Sequence, residues 1–183
     1  MERTNNPTHK FAILTNDPSI TAWGWAVIVG NGKVLEAGCI KTAPEQKKRR
    51  IRKSDDTSRR ASFVIQELLR IIKKYKISYI LSESPHGSQN ASAAVMIGMV
   101  TGITCTLSEC LEIPIEYYSE GDSKKCLLGK LSASKGETVA AIKKLYDVPF
   151  RNVKYIDEAI ADAVAVYHVA SKESTTIKLF KNK

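Results

Sequence analysis

The stretch 11–28, reading FAILTNDPSITAWGWAVI, constrains this chain more than any other. Phe11, Ala12, Ile13 and Leu14 form an apolar run of strand length. Asp17, Pro18 and Ser19 follow as turn residues, and then Trp23, Trp25 and Val27 alternate with small neighbours. A continuous apolar run bounded by turn signals marks a strand buried on both faces, and alternation marks the strand beside it. The pattern predicts a strand, a tight turn carrying an acid, and a second strand returning antiparallel. Burying a carboxylate at a strand end is costly unless a partner meets it, and a metal ion is the usual one. Asp before Pro also starts turns, so Asp17 on its own reads as a turn former or as a ligand.

The remaining chain extends this hairpin. Asn31-Gly32 is a two-residue hairpin signal, so residues 33–41 are expected to continue as a third strand. Residues 42–58 read as a very basic loop. Phe63, Ile65, Leu68, Leu69, Ile71 and Ile72 then recur at helical spacing. A short apolar strand over 77–81 leads into Ser82-Glu83-Ser84-Pro85. Residues 91–111 read as a buried helix rich in small residues, and 114–118 as a fifth strand. Helical stretches follow over 120–131, 134–146 and 157–170. Residues 1–10 look like a loose arm, and the residues from 171 onward like a polar, basic, partly disordered tail. A three-strand antiparallel meander followed by alternating helices and strands predicts an α/β fold. Its five-stranded mixed sheet, completed by two parallel strands, is flanked by helices within a single domain over residues 1–183.

Charge narrows the function. The formal net charge is +9 over 183 residues, which points to an anionic partner, nucleic acid first. Cys39, Cys105, Cys110 and Cys126 form no CxxC pair and no zinc spacing, and read as reduced thiols of a cytoplasmic protein. No charged-then-apolar leader opens the sequence. The uncharged stretch 84–108 is broken by Ser, Thr, Gln, Asn and Gly, so a core helix is expected rather than a membrane span.

Within this basic chain the acids are placed unusually. The first and fourth strands should be central neighbours, and Asp17 and Glu83 lie at their ends. Glu158 and Asp162 are four residues apart and so share a face of the last helix. Carboxylates that converge raise one another's pKa, and cations are the usual remedy. The chemistry that uses such a cluster is two-metal hydrolysis of a phosphodiester.

Four segments carry a resemblance to a known family. ILTNDPSITAWGWAVI, YILSESPHGSQNASAAVMIGMVTGI, KKCLLGKLSASK and DEAIADAVAV occur in the order and spacing found in RuvC-type Holliday-junction resolvases, of the RNase H-like superfamily. The chain resembles that family over roughly residues 11–170.

The resemblance implies roles one residue at a time. Asp17, Glu83 and Asp162 match catalytic metal ligands. The family's other helical acid falls at Ala159 here, so Glu158 is expected to serve, with Asp157 second; Asp157 also reads as a helix N-cap. Lys124 and Lys135 match lysines near the scissile phosphate. A family aromatic that stacks on junction bases falls at His86. The basic stretch 47–60 is expected to meet the DNA backbone, whereas Trp23, Trp25 and His168 read as structural.

The resulting expectation is a structure-selective, Mg²⁺-dependent endonuclease with two ions per site, Mn²⁺ being a possible substitute. It would cut branched DNA, the four-way junction above all, as a homodimer, with no membrane and with its helicase partners unassigned. The alternatives are another RNase H-like nuclease acting on RNA or RNA–DNA hybrids, and a non-catalytic nucleic-acid-binding module of the same fold. The cellular setting is a bacterial or virus-infected cytoplasm.

Overall fold

The computed structural model describes residues 11–29, 31–45 and 51–181. The expected arm over 1–10 and the basic run 47–50 lie outside the described residues. Strands β1 (Ala12–Asp17), β2 (Ala22–Val29) and β3 (Val34–Lys41) form the meander. Gly32 turns the second hairpin with a φ of +86°, a conformation that glycine adopts freely. Then come α1 (Lys53–Tyr75), β4 (Tyr79–Ser84), α2 (Ala91–Leu111), β5 (Ile115–Ser119), α3 (Glu120–Leu128), α4 (Lys135–Leu145), α5 (Lys154–Glu173) and α6 (Thr175–Lys181). The sheet order is β3-β2-β1-β4-β5, antiparallel across the meander and parallel from β1 through β4 to β5.

Strand alternation divides the core into two layers. On one face Ala12, Leu14, Trp23, Trp25 and Val27 pack with Val64 and Leu68 of α1 and Val100, Ile103 and Leu107 of α2. On the other, Ile13, Ala26, Ile28, Tyr79 and Leu81 pack with Ile160, Val164 and Tyr167 of α5. Asp17 and Glu83 follow in phase with the second set, so their side chains belong to the α5 face.

Three local readings need correction. Helix α1 starts at Lys53, within the stretch read as loop. Asp55 and Asp56 occupy its first turn, where the helix dipole favours acids. Arg60, expected at DNA, is buried instead and donates to Thr42 Oγ1 at 2.7 Å and Thr21 Oγ1 at 3.0 Å, bracing the β1–β2 turn. Arg52 and Arg59 of the same stretch are paired with Asp55 and Asp56.

The two ends of the helical layer differ from expectation as well. Helix α2 is no core helix, because only Val100, Ile103, Thr104, Leu107 and Ser108 of its 21 residues are buried. The supposed tail is structured over 171–181: α5 runs on to Glu173, and α6 seats Ile177 in the core at 1% exposure. The Ser174 hydroxyl anchors that corner by donating to Glu116 on β5 at 2.8 Å.

Candidate active site

The site lies at the carboxyl ends of the central parallel strands. The β1–β4 register pairs Asn16 with Ser82, which brings Asp17 level with Glu83. The end of β1 is fixed from behind. Asn16 is 2% exposed, receives the Trp23 indole N–H at 3.0 Å and donates to the Leu81 carbonyl at 3.4 Å. Trp23 is thus structural, as expected.

Helix α5 brings the third acid. It can approach the sheet closely because Gly24, the β2 partner of Asp17, has no side chain. A Cβ at Gly24 would lie 2.0 Å from the Ala159 carbonyl oxygen. Three residues beyond that contact, Asp162 is 9% exposed and receives the Lys135 ammonium at 2.9 Å.

Burial and neighbouring charge both act on these groups. Burial first, and then the charge of Asp162, push the Asp17 carboxyl up to about 7. Burial, then Asp17 and Asp162, push Glu83 up to about 9. Asp162 is raised by its burial, against the opposing pull of Lys135. For Lys135, burial works against the ammonium, but Asp162 outweighs it and the pKa is raised; Asp17 and Glu158 add smaller contributions.

The two candidate helical acids separate clearly. Asp157 is not the N-cap, since α5 starts at Lys154. It is buried, and its Oδ1 accepts the Arg151 backbone N–H at 2.8 Å, which ties down the entry to α5. Glu158 is half-buried and lies near enough to Lys135 to influence it.

One charged group of the site was missed by sequence reasoning. Glu120, the first residue of α3, adds its charge to Asp17, Glu83 and Asp162 alike. Its Oε1 lies 2.6 Å from Lys124 Nζ, and its Oε2 lies 3.9 Å from His86 Nε2. The hydrogen bond from Lys124 holds Glu120 below the usual carboxylate range. The available signal was positional: an acid directly after the strand that neighbours β4.

The donor set suits a hard divalent cation, which takes carboxylate oxygens. Asp17, Glu83 and Asp162 would hold it, and their mutual repulsion is what such a cation relieves. As placed, Asp162 is engaged with Lys135, and among the described residues no three His, Cys, Asp or Glu side chains stand close enough together to share one ion.

A mixed sheet with acids at the ends of its two central strands and a third acid on the helix packed across them defines an RNase H-like nuclease fold. The sequence profile described as "Crossover junction endodeoxyribonuclease RuvC" matches residues 13–168. The crossover junction endodeoxyribonuclease RuvC of Shewanella frigidimarina is 26% identical over 159 residues, covering 85% of this chain and 86% of that protein. The Salmonella choleraesuis enzyme of the same name is 26% identical over 161 residues, covering 86% and 87%.

Solved structures agree on the fold. Thermus thermophilus RuvC in complex with Holliday junction substrate superposes with a TM-score of 0.68 at 16% identity, covering 88% of this chain and 92% of that one. The yeast mitochondrial Holliday junction resolvase Ydc2 superposes at 0.62 with 13% identity, covering 96% and 83%. The chain belongs to the RuvC family of crossover junction endodeoxyribonucleases: it is a divalent-metal-dependent endonuclease that resolves Holliday junctions.

Proposed function

We propose that this chain resolves four-way junctions by paired, Mg²⁺-dependent hydrolysis, with Asp17, Glu83 and Asp162 as metal-binding acids and Glu158 completing the set from α5. The observation that carries this reading is the gathering of three largely buried carboxylates from three separate elements, with Asp162 raising Asp17 and both of them raising Glu83. When bound, Mg²⁺ supplies charge neutralisation at the phosphate and a more acidic water.

The chain's own groups have definable tasks beside that chemistry. Lys135, held at Asp162, presents an ammonium whose raised pKa keeps it charged next to an incoming phosphate. Lys124 is 16% exposed at its side chain and presents a second ammonium from α3. Asp157 Oδ1 is engaged by the Arg151 N–H at 2.8 Å, which favours Glu158 over Asp157 as the further helical acid. Asn16 and Gly24 are silent in the chemistry but set the positions of Asp17 and α5.

Two cuts in strands of like polarity require two sites, and a two-fold homodimer is the commonest way to provide them. The outer face of α2 supports this arrangement. Val95 is 64% exposed, and Gly98 and Gly102 have open space where a side chain would be. Such a site acts where DNA is recombined or repaired, in the cytoplasm of a bacterium or of a virus-infected cell.

The test compares a four-way junction, a linear duplex and an RNA–DNA hybrid, each with Mg²⁺ and with EDTA. The junction should be cut in two strands, and only with the metal present. Preferential cutting of the hybrid would overturn the reading. In the same assay Glu158→Gln should be severe and Asp157→Asn mild; the reverse would exchange their roles.

A further inference from the structure

Glu120 belongs to none of the four segments by which the sequence resembles its family, yet it is built into place. Ser119 and Asp122 form a capping box: the Asp122 N–H donates to Ser119 Oγ at 3.0 Å, and the Ser119 N–H donates to Asp122 Oδ2 at 3.2 Å. This fixes the first turn of α3 directly after β5, whose Ser119 pairs with Ser84 of β4. Helical spacing then puts Glu120 and Lys124 on one face, where Oε1 and Nζ stand 2.6 Å apart. The other oxygen, Oε2, is 3.9 Å from Nε2 of His86, which extends from the β4–α2 loop with its side chain 65% exposed. One carboxylate therefore binds the Lys124 ammonium and faces His86 from a separate segment.

An acid is unfavourable here on two counts. It adds to the repulsion among Asp17, Glu83 and Asp162, and it would repel a phosphate. Fold stability does not explain it, since a partly exposed i,i+4 pair contributes only about 0.3–0.5 kcal/mol. A use at the level of geometry does. Lysine has a flexible four-carbon stem and three N–H donors. One donor engaged by Glu120 leaves two for a phosphate, and it orders the stem before the substrate arrives.

The geometry points to Glu120 as a positioning residue of the junction-cleaving site: one carboxylate oxygen holds the Lys124 ammonium toward the scissile phosphate while the other faces His86. This inference rests on the phosphate-side role given above to Lys124.

The experiment is a double-mutant cycle with two readouts. Single-turnover cleavage at saturating enzyme and junction affinity by anisotropy are measured for wild type, E120A, K124A and the double variant. E120A should cut about tenfold slower with its junction Kd within about twofold, and the double variant should cut within about twofold of K124A alone. In parallel, acylation of the metal-free protein by an amine-reactive reagent is quantified residue by residue. Lys124 should react several-fold faster in E120A than in wild type, with Lys130 unchanged.

Losses from E120A and K124A that multiply in the double variant would overturn the proposal. So would faster cutting by E120A, or unchanged Lys124 reactivity. E120Q keeps the shape and an acceptor oxygen. It should fall between wild type and E120A in both readouts, and it carries the comparison if E120A does not fold. If the wild-type protein cuts no junction, the functional reading fails, while the acylation comparison still decides whether Glu120 holds Lys124.

Discussion

Helices α5 and α2 are nearly equal in length, 20 and 21 residues, and both are rich in alanine and β-branched residues. Their fates differ. Thirteen residues of α5 are buried, against five of α2. Helix α5 spends its apolar surface inside the monomer, crossing the sheet so closely that β2 must offer a glycine, and in doing so it delivers Asp162 to the strand ends. Helix α2 covers the opposite sheet face with one stripe and leaves Val95, Gly98, Gly102 and Cys105 outside. Apolar composition alone therefore does not say what a helix is for. The same composition builds one wall of the candidate site in one place and leaves an open surface in the other.

The comparison breaks most sharply at the acids that α5 serves. Asp17→Asn, Glu83→Gln and Asp162→Asn should each slow junction cleavage by on the order of 10³-fold or more, the scale of removing a group that acts on the transition state. Junction binding should persist. Because the carboxyls of Asp17 and Glu83 are pushed up to about 7 and about 9, neutralising either relieves repulsion, and metal-free variants should melt no lower than wild type. A variant that melts far below wild type would recast its acid as a structural residue.

Next comes the contact that seats α5. Gly24→Ala puts a methyl carbon 2.0 Å from a backbone oxygen that cannot swing away. The expected cost is about 3 kcal/mol, the upper range for overpacking, with a matching fall in melting temperature and loss of cleavage. The paired control is Gly98→Ala on α2, where nothing lies within 4 Å. There alanine should be neutral or add up to about 1 kcal/mol through helix propensity. Equal effects at the two glycines would erase the distinction between the helices.

Much of this was legible in the sequence, and the failures have a common cause. The first hairpin, the sheet plan and the pairing of Asp17 with Glu83 follow from short apolar runs bounded by turn signals and from the order of strands and helices, which puts the first and fourth strands side by side. The stretch of α2 was read as core because it is uncharged, and a lack of charge does not say which face a neighbour covers. Arg60 was read with its basic neighbours, although its position facing Thr21 and Thr42 makes it a brace. Asp157 read as a cap because the helix was expected to begin there, whereas α5 starts three residues earlier, at Lys154. Glu120 was missed although its place directly after the fifth strand was legible, because only the pairing of β5 beside β4 gives that place its meaning.

A smaller effect separates the open surface from the site. Gly102→Glu places a charge on the outer face of α2. If that face meets its copy, the dimer should weaken by about 100-fold or more, as when a like-charge pair is forced into an interface. Sedimentation of the purified protein at micromolar concentration checks this. The monomer should keep its fold and its single nicks, but lose paired incision of a junction. A dimer unaffected by Gly102→Glu would place the interface elsewhere.

The smallest expected effect is a pH dependence confined to the site. Asp17 and Glu83 have pKa values of about 7 and about 9 in the folded protein, above those of a free carboxylate. Between the ordinary value and the raised one, the folded state binds more protons than the unfolded state. Stability therefore falls as pH rises through that window, from about pH 4 to about pH 9. Thermal melts of the protein in EDTA should show this decline. Mg²⁺ binds the ionised carboxylates, so it should raise the melting temperature more at about pH 8.5 than at about pH 5. The double variant Asp17→Asn/Glu83→Gln should flatten both the decline and the Mg²⁺ response, whereas Gly102→Glu should leave both as they are. A pH slope that survives the double variant would have to originate outside Asp17 and Glu83, and the claim that the ends of β1 and β4 concentrate the molecule's electrostatic strain would fail with it.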